Sequence, residues 1–267
     1  MLTITHLTKI YGDKKAVDDL SLTIQDGEIY GFIGHNGAGK TTTLKCATGL
    51  LAFEAGEIKI GETSIQKDPL ACKRKIAYIP DNPDLYEFLS GIQYLNFIAD
   101  AFAISAEERK ERIHKYAAMF EIEGDLAQPI SAYSHGMKQK LTLTSAFLHK
   151  PELIILDEPF VGLDPMASFL LKREMKNFCQ EGGAIFFSTH VLEVAEKLCD
   201  KIAIIKEGKL IASGTMQEVK GDASLESVFL ELEEDFAPEK DDGKEGEKRA
   251  DKTQAEPGVK KNTNKDE

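Results

Sequence analysis

Residues 29–43 read IYGFIGHNGAGKTTT, in which a short apolar run breaks into a glycine-rich loop that ends in a lysine and threonines. Every fixed position of the pattern G-x-x-x-x-G-K-[ST] is filled between Gly34 and Thr41. Glycine lets the backbone adopt positive φ and approach phosphate oxygens closely, and the start of the following helix adds positive potential. The alternative is a glycine turn that contains a lysine by chance. The stretch instead predicts a nucleotide-binding loop, because a predicted strand precedes it and a predicted helix follows it.

The side chains that close this loop have separate expected roles. The Lys40 ammonium neutralises the β- and γ-phosphates, the Thr41 hydroxyl ligates Mg²⁺, and Thr42 reaches a phosphate oxygen. His35 is expected to be an exposed loop residue rather than a general base, because the loop binds phosphate mainly through its backbone. The other nucleotide-binding residues of the loop are Gly34, Asn36, Gly37, Ala38 and Gly39.

Carboxylates follow a second apolar run, LIILDEP, at residues 153–159. Ligands bind at the carboxyl ends of strands in open α/β sheets, so Asp157 is expected to hold Mg²⁺ and Glu158 to act as general base. Charged residues at a strand end are common and need no functional explanation. Asp157 and Glu158 indicate a Mg-nucleotide site only in combination with the glycine loop. His190 follows the apolar run AIFFST and is expected at the same sheet edge, orienting the attacking water. A helix-start histidine is the simpler alternative.

The remaining pattern predicts strands that alternate with helices, hence an α/β fold with a mostly parallel sheet and an antiparallel N-terminal β part. The dipeptide Asp26–Gly27 predicts a hairpin between two strands. Residues 82–150 are predicted to form an inserted helical subdomain, in which Ser105 caps a helix. Asp164 and Pro165 predict another helix start, and SLESVFLELEED (224–235) a short amphipathic helix.

Composition limits the classes of partner. The 267-residue chain carries a formal net charge of −12, which argues against duplex nucleic acid as a partner. No apolar run approaches the roughly 20 residues that span a bilayer, so another chain is expected to supply any membrane part. Four well-separated cysteines favour a reducing compartment over a disulfide framework or a zinc site, namely Cys46, Cys72, Cys179 and Cys199.

The last 35 residues differ from the rest. Residues 233–267 contain one Phe, one Val and no Ile or Leu, with 12 acidic and eight basic residues. Such a segment cannot bury enough apolar surface to offset the entropy of ordering, so it is predicted to be a disordered, charged tail. The folded domain is therefore predicted to span residues 1–232.

The stretch YSHGMKQKL (133–141), just before LIILDEP, resembles the signature motif of ABC-type ATPases. VGLD (161–164) resembles the D-loop of that family, and His190 its switch histidine. The chain over residues 1–232 therefore resembles the ATP-binding subunit of an ABC transporter, which implies a P-loop NTPase (RecA-like) core. In that family an aromatic residue stacks on adenine, a place that Tyr11 takes here, with Val17 as a further nucleotide contact.

The resemblance implies that two such domains sandwich ATP head to tail. Ser134 and Gly136 then bind the γ-phosphate of the partner's ATP, and Asp164 joins that composite site. Two positions depart from the family pattern. LSGGQ is replaced by Tyr133–Met137, and the Q-loop glutamine is replaced by Asp81, to which a catalytic and Mg²⁺-binding role is assigned by position. The essential Ser and the following Gly are retained.

The short C-terminal ending resembles that of subunits serving ABC-2-type exporters. The expected partners are a multi-span transmembrane permease and a second nucleotide-binding subunit, self or homologue, with the chain at the cytoplasmic face of the cell membrane. The alternative is a soluble ABC ATPase acting on ribosomes or nucleic acid. Such proteins carry two nucleotide domains or a long coiled coil, which this chain lacks. A small-molecule kinase would have the glycine loop but no use for YSHGMKQKL.

Overall fold

A computed structural model of the chain describes residues 1–235. Its strands are β1 (Leu2–Tyr11), β2 (Lys14–Ile24), β3 (Ile29–Ile33), β4 (Ala55–Ile60), β5 (Thr63–Ser64), β6 (Ile76–Ile79), β7 (Leu153–Asp157), β8 (Ala184–Thr189), β9 (Lys201–Lys206) and β10 (Lys209–Thr215). Its α-helices are α1 (Lys40–Ala47), α2 (Pro69–Lys75), α3 (Gly91–Ala101), α4 (Ala106–Met119), α5 (His135–Leu148), α6 (Pro165–Gln180), α7 (Leu192–Leu198), α8 (Met216–Lys220) and α9 (Leu225–Asp235).

The central sheet has six strands in the order β10-β9-β3-β8-β7-β6. All neighbouring strands run parallel except β10, which pairs antiparallel with β9. Strands β3, β7 and β8 are buried along their whole length, as expected for a parallel sheet covered on both faces. This arrangement brings the carboxyl ends of β3, β7 and β8 to one edge. The predicted α/β fold is confirmed.

A second sheet is antiparallel, in the order β2-β1-β4-β5. The predicted hairpin at Asp26–Gly27 is wrong. Strand β2 pairs with β1, whereas β3 pairs with β8 and β9 in the central sheet. Gly27 has φ +79° and donates its N–H to Gly183 O at 2.9 Å, so the turn passes the chain from one sheet to the other. The turn residues were recognised correctly, but the two flanking strands are not partners.

Helices α3, α4 and α5 form a separate layer with its own apolar core, which includes Leu95, Ile113 and Leu141. They occupy residues 91–148, within the segment that the sequence assigns to the helical subdomain. The Ser105 hydroxyl accepts a hydrogen bond from Glu108 N–H at 3.3 Å and caps α4. This layer ends at the C-terminus of α5, from which residues 149–152 lead into β7.

Helix α9 continues to Asp235, three residues beyond the domain boundary predicted at residue 232. The tail predicted over 233–267 lies, from residue 236 onward, outside the described residues. Within residues 1–235, no helix is long and apolar enough to cross a membrane.

Candidate functional site

The glycine loop connects the end of β3 to the start of α1. Gly39 has φ +112°, and a Cβ placed on it would lie 2.5 Å from Ala16 O. A Cβ on Gly34 would lie 2.4 Å from Ile205 O. Both positions therefore exclude every residue with a side chain, because the neighbouring backbone is too close to yield. The loop is held against β2 and β9, and its N–H groups lie at the N-terminus of α1.

Lys40 is almost fully buried, with 6% of its side chain exposed. Its Nζ donates hydrogen bonds to Gly34 O at 2.6 Å and to His35 O at 3.3 Å, so the side chain folds back along the loop. The same Nζ lies 3.5 Å from Glu158 Oε1. A positive charge is thus fixed between the glycine loop and the end of β7, where a phosphate bound by the loop would lie.

Asp157 ends strand β7 and is fully buried. Burial raises the pKa of its carboxyl, while hydrogen bonds from the Ser188 and Thr41 hydroxyls oppose that rise. Ser188 Oγ donates to Oδ1 at 2.5 Å, whereas Oδ2 has no hydrogen-bond partner. A buried carboxylate oxygen without a partner is costly, and a bound cation would satisfy it.

The donors at this point fit one hydrated Mg²⁺ ion. Mg²⁺ in nucleotide sites is usually held by one or two protein oxygens together with phosphate oxygens and water. Thr41 and Asp157 supply a hydroxyl and a carboxylate to the lining of the same cavity. Among the described residues, no group of three or more His, Cys, Asp and Glu side chains forms a metal cage.

Glu158 and His190 contact each other at the same edge. His190 Nδ1 lies 3.0 Å from Glu158 Oε2. Glu158 has φ +48°, an uncommon conformation for a residue with a side chain, and its N–H donates to Ser188 Oγ at 3.0 Å. Residues held in this way concentrate at active sites, because the surrounding structure must compensate the strain. The carboxylate thus has Lys40 on one oxygen and His190 on the other.

A cavity of about 310 Å³ brings most of the predicted residues together. Its lining includes Tyr11, His35, Asn36, Gly37, Gly39, Lys40, Thr41, Thr42, Asp81, Asp157 and Glu158. Lys14 and Ala16 also line it, although the sequence analysis did not identify them. A larger cavity of about 680 Å³ lies elsewhere, among charged side chains of α4 and the loops that precede β7 and β8. We place the site at the smaller cavity, because the glycine loop and the strand-end carboxylates meet there.

Val17 requires a correction. It is fully buried in the core beneath the N-terminal sheet and does not line the cavity. Successive residues of a strand point to opposite faces, so Ala16, its neighbour on β2, faces the cavity instead. Tyr11, by contrast, is 51% exposed and lines the cavity, as an aromatic platform for a base must.

Asp81 follows β6 and lines the cavity as well. Its Oδ1 accepts a hydrogen bond from Asn82 N–H at 2.8 Å. Its charge also contributes to the raised pKa of Asp157, after the larger effect of burial. The two carboxylates are therefore close enough to repel each other, and a cation between them would relieve that repulsion.

Ser134, Gly136 and Asp164 do not line this cavity. Ser134 is the N-cap of α5, where its Oγ accepts from Met137 N–H at 3.3 Å. A Cβ on Gly136 would lie 2.8 Å from Gly162 O, so the start of α5 packs against the segment before α6. Asp164 caps α6 by accepting from Ala167 N–H at 2.8 Å. The chain alone does not bring these three residues to the glycine loop.

Ser188 is the main residue of the site that sequence reasoning missed. It stands opposite Asp157 in the parallel pairing of β7 and β8 and bonds both Asp157 and the backbone of Glu158. Its position offers a signal: it is the first polar residue in AIFFST, two residues before His190. When an otherwise apolar strand, predicted to be fully buried, ends in a polar residue, that residue is a candidate member of the functional site.

Comparisons with known proteins agree with this geometry. The family described as "ABC transporter" matches residues 17–161. The chain is 35% identical over 242 residues to ABC-type transporter ATP-binding protein EcsA of Bacillus subtilis (strain 168), covering 89% of this chain and 98% of that protein. It is 32% identical to the linearmycin resistance ATP-binding protein LnrL of the same organism, covering 88% of this chain and 77% of that protein.

A solved structure titled as an ATP-binding subunit of an ABC transporter superposes on the chain with a TM-score of 0.84. The two sequences are 35% identical, and the match covers 87% of this chain and 99% of the solved one. The similarity therefore includes the whole described fold rather than the glycine loop alone.

Proposed function

The chain belongs to the ABC transporter family as an ATP-binding subunit with ATPase activity, and from that premise we propose that it powers export through a separate transmembrane subunit. The observation that carries the proposal is the convergence of Lys40, Glu158 and His190 at the glycine loop. The proposal assigns phosphate binding to Lys40 and water activation to Glu158, which line the cavity, and sensing of the bound phosphate to His190, which contacts Glu158.

In this proposal Glu158 accepts a proton from the attacking water. His190, which contacts Glu158 Oε2, orients that water. Lys40 neutralises charge on the β- and γ-phosphates, and the loop N–H groups hold the oxygens. Thr41 and Asp157 would hold Mg²⁺, which supplies further charge neutralisation when bound. The residues of the chain therefore contribute mainly positioning and electrostatics, as phosphoryl transfer requires.

A second subunit completes the proposed cycle. Ser134, Gly136 and Asp164 form a face that lies away from the chain's own cavity, with a helix N-terminus at Ser134. Such an end suits a phosphate, since its N–H groups carry partial positive charge. In a head-to-tail pair this face of one subunit closes over the ATP of the other. ATP binding then joins the two subunits, and hydrolysis separates them.

The proposed membrane partner docks on the helical subdomain. Tyr86, Phe88 and Phe97 form a cluster of contacting rings that is half-exposed or more, and Phe88 is 82% exposed. Exposed aromatic side chains in contact mark interaction surfaces. A multi-span permease at this surface places the chain at the cytoplasmic face of the cell membrane. Export is supported by the name of LnrL, a linearmycin resistance ATP-binding protein.

One experiment tests the catalytic part of the proposal. Glu158→Gln keeps the size of the side chain but removes the base, so hydrolysis is expected to fall about 10²-fold or more. ATP binding should persist, and size-exclusion chromatography with light scattering should show an ATP-dependent dimer. The matched control is Glu193→Gln, an exposed glutamate on α7. Normal turnover in Glu158→Gln would exclude this residue as the base.

A second experiment tests the partner. The tagged chain, expressed in its own cells, should co-purify with a multi-span membrane protein, and Phe88→Ser should reduce that yield. Leu50→Ser is the control, because Leu50 is also an exposed apolar residue but lies in the loop that follows α1. Recovery of ribosomes or nucleic acid instead would favour the soluble alternative. ATPase activity of the isolated chain should be unaffected by either substitution.

A further inference from the structure

Helix α9 lies outside the segment that matches the family, yet it packs against the body of the domain. Leu225 is fully buried and Phe229 is 6% exposed. Glu196 on α7 joins the start of the helix to α8, because it accepts from Leu225 N–H at 3.4 Å and pairs with Lys220 Nζ at 2.5 Å. The helix is therefore a fixed part of the domain at this end.

Phe229 contacts the nucleotide-binding loop. Its ring lies 5.1 Å from the ring of His35, centroid to centroid, with an angle of 67° between the planes. Edge-to-face pairs of this kind stabilise beyond the area they bury. His35 is the first of three exposed residues at the tip of the glycine loop, His35–Gly37. The last helix of the domain thus touches the part of the loop that faces the phosphates.

The rest of the loop is anchored from other directions. Gly208 N–H, in the turn between β9 and β10, donates to Ala38 O at 2.9 Å. Lys40 Nζ holds Gly34 O. Gly37 lies between these anchors with φ +83° and open space around its Cα. The backbone of this turn is closed by Ala38 N–H, which donates to His35 O at 3.2 Å, and the ring contact adds a hold on the His35 side chain.

Preorganisation of this tip matters for binding. The loop N–H groups must point at phosphate oxygens, and a loop that is already ordered loses less entropy when the nucleotide binds. We propose that Phe229 is a positioning residue for the phosphate-binding loop, acting through His35, so that helix α9 sets the affinity of the site for ATP. This inference rests on ATP binding at the loop and does not depend on dimerisation or export.

The test uses the full chain with ATP and Mg²⁺. Phe229→Leu keeps an apolar side chain in the core but removes the ring, and His35→Ala removes the other ring without disturbing α9. Each is expected to weaken ATP binding about threefold to tenfold by calorimetry. KM for ATP should rise in parallel, with kcat at saturating ATP unchanged. Leu230→Ala is the matched control, since Leu230 is exposed on the same helix.

The double variant Phe229→Leu/His35→Ala decides whether the two residues act as one unit. If Phe229 acts through His35, the ATP affinity of the double variant should equal that of whichever single variant binds ATP more weakly. Additive losses would overturn the inference, as would a lower melting temperature in Phe229→Leu with unchanged ATP affinity. Should Phe229→Leu fail to fold, unchanged ATP affinity in His35→Ala would overturn it alone. Binding is measured without membrane subunit, so failure of the export proposal would leave this result unaffected.

Discussion

Two faces of the domain carry the predicted nucleotide contacts, and they differ in completeness. At the glycine-loop face, Lys40, Asp157 and Glu158 line one cavity, and Lys40 lies 3.5 Å from Glu158. At the signature face, the side chains of Ser134 and Asp164 cap their own helices, and Asp164 also forms a surface ion pair with Lys140. The first face already has the form of a site, whereas the second consists of helix starts that do not line this cavity.

In the proposed cycle, the difference indicates which face a second subunit would supply. A chain can bring together strand ends that share one sheet edge, because the order of the strands fixes their distance. The signature residues belong to the helical layer and to α6, which the fold holds away from that edge. A site that needs both faces must therefore obtain one of them from another subunit. Substitutions at the two faces should accordingly affect different steps.

The largest effect is expected at the complete face. Lys40→Met should lower ATP hydrolysis by about 10²-fold or more, because it removes the buried positive charge next to the phosphates. ATP affinity should fall in the same variant, as measured by calorimetry. Lys45→Met is the control, since Lys45 is exposed on the same helix. Equal losses in both variants would mean that the effect arises from α1 and not from the site.

Ser134→Ala tests the incomplete face. It should lower hydrolysis about tenfold, since it removes one hydrogen bond to a charged phosphate, and leave ATP binding to the isolated chain unchanged. Ser131→Ala, an exposed serine just upstream, is the control.

Mixing gives the sharper result. Lys40→Met and Ser134→Ala chains together form dimers in which one composite site is intact, so activity should exceed that of either variant alone. If mixing restores nothing while mixed dimers form, the two faces do not meet between subunits.

The same division explains what the sequence could predict. The strand ends and the glycine loop were identifiable because each lies within a few residues of an apolar run, such as LIIL before Asp157. Local patterns also located the caps at Ser105 and Asp164. The pairing of strands is not local, and for that reason Asp26–Gly27 was read as a hairpin although the strands on either side join different sheets.

Details of the site were missed for a similar reason. Ser188 contacts Asp157 only because β7 and β8 are neighbours in the sheet, which the sequence does not state. Val17 was predicted from the family resemblance alone, and the resemblance does not state that its neighbour Ala16 is the side chain on the cavity side of β2. The contact between His35 and Phe229 joins residues far apart in the chain.

Asp81 stands between the two faces, at the cavity and at the start of the helical subdomain. Asp81→Ala should leave ATP binding largely intact, because the loop and Lys40 remain. We expect it to lower the stimulation of ATPase activity by the membrane subunit about threefold to tenfold, a typical size for coupling between sites. Asp222→Ala, an exposed aspartate before α9, is the control. Unchanged stimulation, or unchanged transport, would exclude a coupling role for Asp81.

The smallest effect is expected within the signature face. Lys140 Nζ on α5 lies 2.7 Å from Asp164 Oδ2, and this hydrogen bond lowers the pKa of the Asp164 carboxyl, helped by Ala167 N–H. The pair links the start of α5 to the start of α6. Because Asp164 is 46% exposed, solvent screens the interaction and we expect it to contribute only about 0.5 kcal/mol.

A carboxyl whose pKa is lower in the folded state stabilises the fold above its unfolded pKa, and the contribution disappears as pH falls through the folded pKa. Lys140→Met should therefore lower the melting temperature by about 1–2 °C at pH 7. The difference from the unsubstituted chain should shrink as the pH is lowered through the acid range, and Lys110→Met, which replaces an exposed lysine, should show no such trend. A difference that persists in acid would mean that Lys140 acts through packing, and the two helix starts would then be held together without this ion pair.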